Sequence, residues 1–193
     1  MREPDAPTLP AASARRIGRV SELLIVAVIV VLDQVTKAVV RSRLPLHESV
    51  TVVPGFFDLT HVRNTGAAFG MLNSVDFPYK PVVMVLIALI ALAAVASYAL
   101  TLPAGQRMAR LGLALILGGA IGNLIDRATL GYVLDFVDVY WQGWHFWAFN
   151  VADAAITVGV LIILARALFM REKPPAAQDE VVADQTAENS TNA

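Results

Sequence analysis

The sequence predicts an all-α membrane protein, a bundle of four transmembrane helices with a small β-rich extracytoplasmic unit between spans 1 and 2. Apolar side chains make up 56% of the 193 residues and charged ones only 16%, with a mean hydropathy of +0.60. This balance is too apolar for a soluble domain of this size. The apolar residues also form four candidate transmembrane spans, at about 23–40, 82–102, 111–126 and 150–170, of which 82–102 is the clearest and 111–126 is shorter.

The two ends of the chain are typical of solvated tails. Residues 1–20 contain three prolines before position 11, and the chain after Lys173 has acidic residues but no basic or aromatic ones. We therefore predict disordered cytoplasmic tails at 1–20 and 173–193, on either side of an integral membrane domain at 21–172. Asp33 and Lys37 stand where an export signal would have its small-residue cleavage site, so the first span is expected to be retained.

The connection between spans 1 and 2 predicts the β-rich unit. Residues 49–63 alternate loosely and are rich in β-branched and aromatic side chains, which favours short strands. A loop of small residues follows at 64–70, and Gly66 within it allows close approach of the backbone to a ligand. Because membrane depth does not tolerate an open sheet edge, this unit is expected on the outer surface.

Basic residues predict the orientation. They flank span 1, occupy the short loop between spans 2 and 3, and follow span 4, at Arg15, Arg16, Arg19, Arg107, Arg110, Arg171 and Lys173. The positive-inside rule places these ends, and both termini, in the cytoplasm. Three tryptophans before span 4, Trp141, Trp144 and Trp147, are typical of an interfacial belt on the other side.

In this topology, costly polar side chains converge near the extracytoplasmic face. Such groups inside a membrane usually face a bundle interior or a wet cavity and indicate function. Two copies of the pattern Asn-x-x-Asp place an amide and a carboxylate on one helix face, which favours opposite walls of one polar pocket. The convergent residues are Asp33, Lys37, Asn123, Asp126, Asn150 and Asp153, with Asp135 in the loop between spans 3 and 4.

The available side chains favour carboxylate chemistry. No cysteine is present and the three histidines are scattered without metal-ligand spacing, so we predict neither a metal site nor a cofactor. A Ser-Lys dyad of Lys37 with Ser42 or Ser49 remains an alternative, although no spacing singles it out. Two aspartates that share a proton could activate water and hydrolyse an amide. Spacing does not settle the pair, and the symmetry of the motifs alone nominates Asp126 and Asp153.

Five short motifs, in order along the chain, resemble lipoprotein signal peptidase, also called signal peptidase II. They are Asp33-Gln-x-x-Lys37, Asn64-Thr-Gly-Ala-Ala-Phe, Gly122-Asn-Leu-Ile-Asp-Arg127, Val133-Leu-Asp135-Phe and Phe149-Asn-Val-Ala-Asp153-Ala. The resemblance implies a membrane-embedded aspartic endopeptidase of the bacterial cytoplasmic (inner) membrane. It removes the signal peptide from diacylglyceryl-modified prolipoproteins just before the lipidated cysteine, and it implies Asp135 and Asp153 as the catalytic dyad.

The remaining motif residues are expected to support or bind rather than react. Asp33 and Lys37 can form a structural ion pair, Asp126 can orient neighbouring groups, and Arg127 can hold a lipid phosphate or the substrate. Asn64, Gly66, Asn123 and Asn150 are candidates for substrate contact or site support. We expect a monomer that contacts membrane phospholipid and no nucleic acid.

Two other classes of protein compete with the peptidase. Intramembrane Asp and Asn residues also occur in small transporters and proton-relay proteins. In this sequence they gather on one side of the membrane instead of lining a route across it. A scaffold for partner helices would leave the buried carboxylates unexplained.

Overall fold

A computed structural model describes residues 11–67, 71–103 and 105–169, which form four long helices and one four-stranded antiparallel sheet. In chain order the elements are α1 (Ala11–Arg43), β1 (Ser49–Val53), β2 (Phe57–Asn64), α2 (Lys80–Thr101), α3 (Arg107–Leu130), β3 (Val133–Trp141), β4 (Trp144–His145) and α4 (Val151–Phe169). The predicted four-helix bundle with a small β unit is therefore confirmed.

All four helices contain a stretch long and apolar enough to cross a membrane: Arg19–Arg43, Lys80–Thr101, Arg107–Leu130 and Val151–Phe169. Large apolar side chains such as Leu24, Ile90 and Leu161 are exposed on the outside of the bundle. Such surfaces are unfavourable in water but match the acyl chains of lipids. The chain is thus a multi-pass membrane protein.

Helix α1 starts earlier than the sequence suggested. It begins at Ala11, so residues 11–20 are helical where we predicted a disordered tail. The helix extends past the apolar span because no proline follows Pro10 until Pro45, and alanine and arginine are favourable in helices. Residues 1–10 and 173–193 of the predicted tails lie outside the described residues.

Helix α3 is the centre of the bundle, since α1, α2 and α4 all pack against it. Its glycines allow this close approach. A Cβ atom at Gly118 would lie 2.9 Å from the Cβ of Ile29 in α1, and one at Gly122 would lie 2.6 Å from Oδ2 of Asp33. Gly122 therefore leaves room for the Asp33 carboxylate between α1 and α3.

The sheet lies at the end of the bundle where α1 and α3 finish and α2 and α4 begin, and its strand order is β1-β2-β3-β4. Strands β1 and β2 come from the predicted β unit. Strands β3 and β4 come from the connection between α3 and α4, which we had expected to be a loop. Successive side chains of β3 point to opposite faces of the sheet, and Leu134 and Phe136 on one face pack with Val40 of α1 in a buried cluster. This packing stabilises a strand where we had expected a loop.

Candidate active site

A buried lysine ties three helices together beneath the sheet. Nζ of Lys37 lies 2.8 Å from Oδ2 of Asp33, 3.1 Å from Oδ2 of Asp126 and 2.9 Å from Oδ1 of Asn123. Asp33 is 0% exposed, and its Oδ1 accepts a hydrogen bond from the backbone N–H of Ala152 in α4 (3.0 Å). The predicted Asp33–Lys37 ion pair therefore exists, and it holds α1 against both α3 and α4.

Asp126 belongs to this ion cluster and does not line the cavity described below. Its Oδ2 accepts from the backbone N–H of Leu134 at 3.0 Å, which fixes the start of β3 over the end of α3. Its Oδ1 accepts from Nε2 of Gln34 at 3.1 Å. The geometry gives Asp126 the orienting position expected from the sequence, and the symmetric pairing of Asp126 with Asp153 is not the arrangement observed.

Asp135 on β3 and Asp153 on α4 face a common cavity, and each accepts two hydrogen bonds. Asp135 accepts from Nδ2 of Asn150 (2.7 Å) and from Nδ2 of Asn64 (3.1 Å). Asp153 accepts from Nδ2 of Asn123 (2.7 Å) and from the backbone N–H of Asn150 (3.3 Å). The fold thus brings together a strand, a helix start and a helix end around two carboxylates.

Asn150 connects these two carboxylates and is itself 0% exposed. Its side-chain oxygen accepts from the backbone N–H of Asp153 at 3.0 Å, while Asp153 accepts in return from the backbone N–H of Asn150. This reciprocal pair is a capping box at the start of α4. Nδ2 of Asn150 then points at Asp135 and at Oδ1 of Asn123 (3.2 Å). The side chain of Asn150 therefore both caps α4 and donates to Asp135.

Burial controls the acidity of Asp135. Desolvation, and after it the nearby charge of Asp153, raise the pKa of Asp135 from 3.8 to about 7. Hydrogen bonds from Asn64 and Asn150 and the charge of Lys37 lower the pKa by smaller amounts. Asp135 can therefore carry a proton near neutral pH.

The cavity in front of the two carboxylates has a volume of about 710 Å³, and residues of α4 and of the β4–α4 connection form much of its wall. Its polar residues gather at one end, and its apolar residues form the rest of the wall. The polar residues are Asn64, Asn123, Arg127, Asp135, Asp153 and Thr157, and the apolar ones include Val133, Phe146, Trp147, Phe149, Ile156 and Val158. Among the described residues, no group of three or more His, Asp or Glu side chains could hold a metal ion.

Arg127 lines the cavity and is tied to Gly66 in the turn after β2. Nη2 of Arg127 donates to the backbone oxygen of Gly66 at 3.0 Å, and Nη1 donates to that of Asn123 at 3.4 Å. Gly66 is buried, and a Cβ there would clash with the backbone oxygen of Met71. The backbone N–H of Gly66 donates to Oδ1 of Asn64 at 3.0 Å, which turns the amide of Asn64 towards Asp135.

Sequence reasoning did not single out several side chains that the structure places around the site. Gln34 donates to Asp33, to Asp126 and to the backbone of Gly122. Lys80 is buried at the start of α2 and contacts the loop behind Asn64. The signal for Lys80 was present, because it is the charged residue immediately before the uncharged segment 82–102.

Comparisons with known proteins agree on one family. The family model described as signal peptidase (SPase) II matches residues 25–169. A lipoprotein signal peptidase of Syntrophotalea carbinolica is 46% identical over 142 residues, which cover 74% of this chain and 87% of that protein. A lipoprotein signal peptidase of Geobacter metallireducens is 48% identical over 140 residues, covering 72% of this chain and 85% of that protein.

Solved structures give the same result for the fold. A bacterial membrane enzyme determined by the in meso method at 2.3 Å resolution superposes with a TM-score of 0.72. It is 31% identical, and the match covers 82% of this chain and 93% of that chain. A second such structure, at 1.9 Å resolution, has a TM-score of 0.68 at 28% identity, covering 77% of this chain and 93% of that chain.

Proposed function

Because the chain belongs to the signal peptidase II family, we propose that it cleaves diacylglyceryl-modified prolipoproteins just before the lipidated cysteine, by aspartic catalysis. Asp135 and Asp153 are the catalytic pair in this proposal. The observation that carries it is their geometry: two carboxylates from different elements, each held by two N–H donors, face one cavity that is otherwise mostly apolar.

The proposed reaction needs one proton between the two carboxyls. The ionised carboxyl takes a proton from a water molecule, whose oxygen bonds to the scissile carbonyl carbon, while the neutral carboxyl gives its proton to the carbonyl oxygen. Collapse of the tetrahedral intermediate breaks the C–N bond, and a proton passes to the leaving nitrogen. The pKa of Asp135, raised to about 7 by burial, supports a neutral acid at this position near neutral pH.

The asparagines provide orientation in this mechanism. Asn64, Asn123 and Asn150 donate to the carboxylates and hold them in one orientation. Fixed donors of this kind need no reorganisation when charge moves during the reaction. We assign them to site support, together with Gly66, which turns Asn64, and the cluster of Asp33, Lys37 and Asp126, which fixes the helices.

The cavity supports a substrate with an apolar segment and a lipid. Its wall between Phe146 and Val158 matches the end of a signal peptide and an acyl chain, while its polar end holds the carboxylates. A helical segment has its backbone groups satisfied internally, so the segment to be cut must be extended when it reaches them. Arg127, at the polar end, is suited to a phosphate or to a substrate carbonyl.

The proposed position in the membrane follows from the charges. The site and the sheet lie at the opposite end of the bundle from Arg19, Arg107 and Arg110. The positive-inside rule then places both termini in the cytoplasm and the site near the extracytoplasmic face. A lipid-modified cysteine of an exported precursor lies at that depth, where water is also available. We propose that the protein acts there as a monomer.

Cleavage of a lipidated precursor by the purified protein tests this function. We expect cleavage before the lipidated cysteine, and loss of turnover by about 10³-fold or more in Asp135→Asn and Asp153→Asn. Asp126→Asn is the matched control: the same chemical change in a buried carboxylate outside the cavity should lower stability or yield more than turnover per folded molecule. An intact precursor with folded wild-type protein would eliminate the peptidase, and near-normal turnover of either dyad variant would eliminate the aspartic mechanism.

A further inference from the structure

Lys80, the first residue of α2, is a buried cation that the proposed chemistry does not use. It is 6% exposed. Its Nζ lies within hydrogen-bond distance of three backbone oxygens, those of Leu72 (2.8 Å), Asn73 (3.2 Å) and Val75 (2.7 Å), and of Oγ1 of Thr65 (3.1 Å). Burying an ammonium group is costly unless it is well hydrogen-bonded. The cost here is offset by three bonds to the loop 71–75 and one to Thr65 in the turn after β2.

The loop that Lys80 binds, residues 71–75, is tied to the turn after β2. The side-chain oxygen of Asn73 accepts from both the backbone N–H of Thr65 (2.9 Å) and its hydroxyl (2.8 Å). The backbone N–H of Ala67 donates to the oxygen of Met71 at 2.8 Å. Lys80 contacts the hydroxyl of Thr65, and Asn73 binds both that hydroxyl and the backbone N–H, so the two residues together fix Thr65.

Thr65 lies between two residues that reach the candidate active site. Asn64 before it donates to Oδ2 of Asp135, and Gly66 after it accepts from Arg127. The orientation of the Asn64 amide depends on this turn, because its oxygen is held by the N–H of Gly66. A shift of the turn would therefore displace the hydrogen bond that Asn64 donates to Asp135.

We propose that Lys80 is a positioning residue, which fixes the loop 71–75 against Thr65 and thereby keeps Asn64 hydrogen-bonded to Asp135. The inference rests on the proposed catalytic role of Asp135. Lys80 itself touches neither carboxylate in this scheme. Its effect on the reaction is transmitted through one hydrogen bond.

A pH profile separates this role from simple stabilisation of the fold. The hydrogen bond from Asn64 lowers the pKa of Asp135 against the effect of burial. Loss of that bond should therefore move the alkaline limb of kcat/KM to higher pH. We expect a shift of about 0.5–1 pH unit in Lys80→Met, where the bond to a charged group is partly lost, and of about 1–2 pH units in Asn64→Ala, where it is removed. The double variant should shift no further than Asn64→Ala.

Arg110→Met is the matched control. Arg110 is a largely buried cation on α3 that pairs with Glu22 at the opposite end of the bundle. Its replacement should lower thermal stability and leave the pH profile unmoved. If Lys80→Met does not fold, Thr65→Val decides, because it removes the hydroxyl through which Thr65 contacts both Lys80 and Asn73, and we expect a smaller shift in the same direction.

The possible failures are distinguishable. Absence of cleavage by the wild-type protein overturns the proposed function. Normal cleavage by the wild type, loss of turnover in Asp135→Asn and an unmoved pH profile in the Lys80 or Thr65 variant overturn only the role of Lys80. An additive shift in the double variant would also overturn it, since the two residues would then act separately.

Discussion

Replacing Asp135 with asparagine should change how the stability of the protein depends on pH. Burial raises the pKa of Asp135 to about 7 in the folded state, whereas the carboxyl of an unfolded chain titrates near 3.8. The folded state therefore binds the proton more tightly than the unfolded state. Stability from this group is fully present below about pH 4 and is lost as the pH rises through about 7. Asparagine has no proton to lose.

The size of the effect follows from the two pKa values. The stability from this group is lost over the interval between the two pKa values. About one pH unit of that interval lies below pH 5, so about two units remain between pH 5 and pH 8. At about 1.4 kcal/mol per unit, the wild-type protein should lose about 2.5 kcal/mol of unfolding free energy that Asp135→Asn retains. On the scale of soluble domains this corresponds to roughly 5–10 °C in Tm.

Thermal unfolding in detergent, followed by tryptophan fluorescence at pH 5 and pH 8, measures the difference. We expect the Tm of Asp135→Asn, relative to that of the wild type, to be higher at pH 8 than at pH 5. Asp76→Asn serves as the control, because Asp76 is exposed in the loop before α2 and its replacement should leave the pH dependence of Tm unchanged. Parallel pH dependence of Asp135→Asn and the wild type would refute the assignment of a buried, proton-retaining carboxyl.

Two other substitutions test the support of the site. Lys37→Met leaves the carboxylates of Asp33 and Asp126 buried without their shared cation, so we expect a loss of about 3–5 kcal/mol of stability, seen as a lower Tm or a low yield of folded protein. A normal Tm for this variant would show that the ion cluster is not needed for the fold. Gly66→Ala introduces a Cβ that clashes with the backbone of Met71, so we expect a lower Tm because the backbone must shift, and about a tenfold or larger loss of cleavage rate per folded molecule. An unchanged rate would show that the turn can move without affecting the dyad.

Hydropathy alone predicted the spans well, and the five motifs identified the family that the comparisons confirm. Transfer of apolar residues into lipid is the largest energetic term in such a chain, and it is local in sequence. The missed helical segment at 11–20 and the missed strand β3 have a different cause. Both depend on contacts or propensities that a hydropathy window does not measure, such as the packing of Leu134 and Phe136 on Val40.

The repeated Asn-x-x-Asp pattern shows the same limit at the site. We interpreted both copies as walls of one pocket. At Asn150 and Asp153 the pattern is a capping box at a helix start, whereas at Asn123 and Asp126 it lies in the last turns of α3, where both side chains contact Lys37 and Asn123 also donates to Asp153. The same spacing therefore has two different structural roles, a helix cap in one copy and the binding of a buried cation in the other.

The cap of α4 also bears on how the protein is made. Asp153 lies in the first turn of α4, and Asn150, which caps this helix, also holds Asp135. During synthesis, the chain emerging from the ribosome has no complete pair of acids until α4 has entered the bilayer and closed its first turn. On the proposed mechanism, a truncated or half-inserted copy is inert, so the cell is never exposed to an unfinished protease within its own membrane.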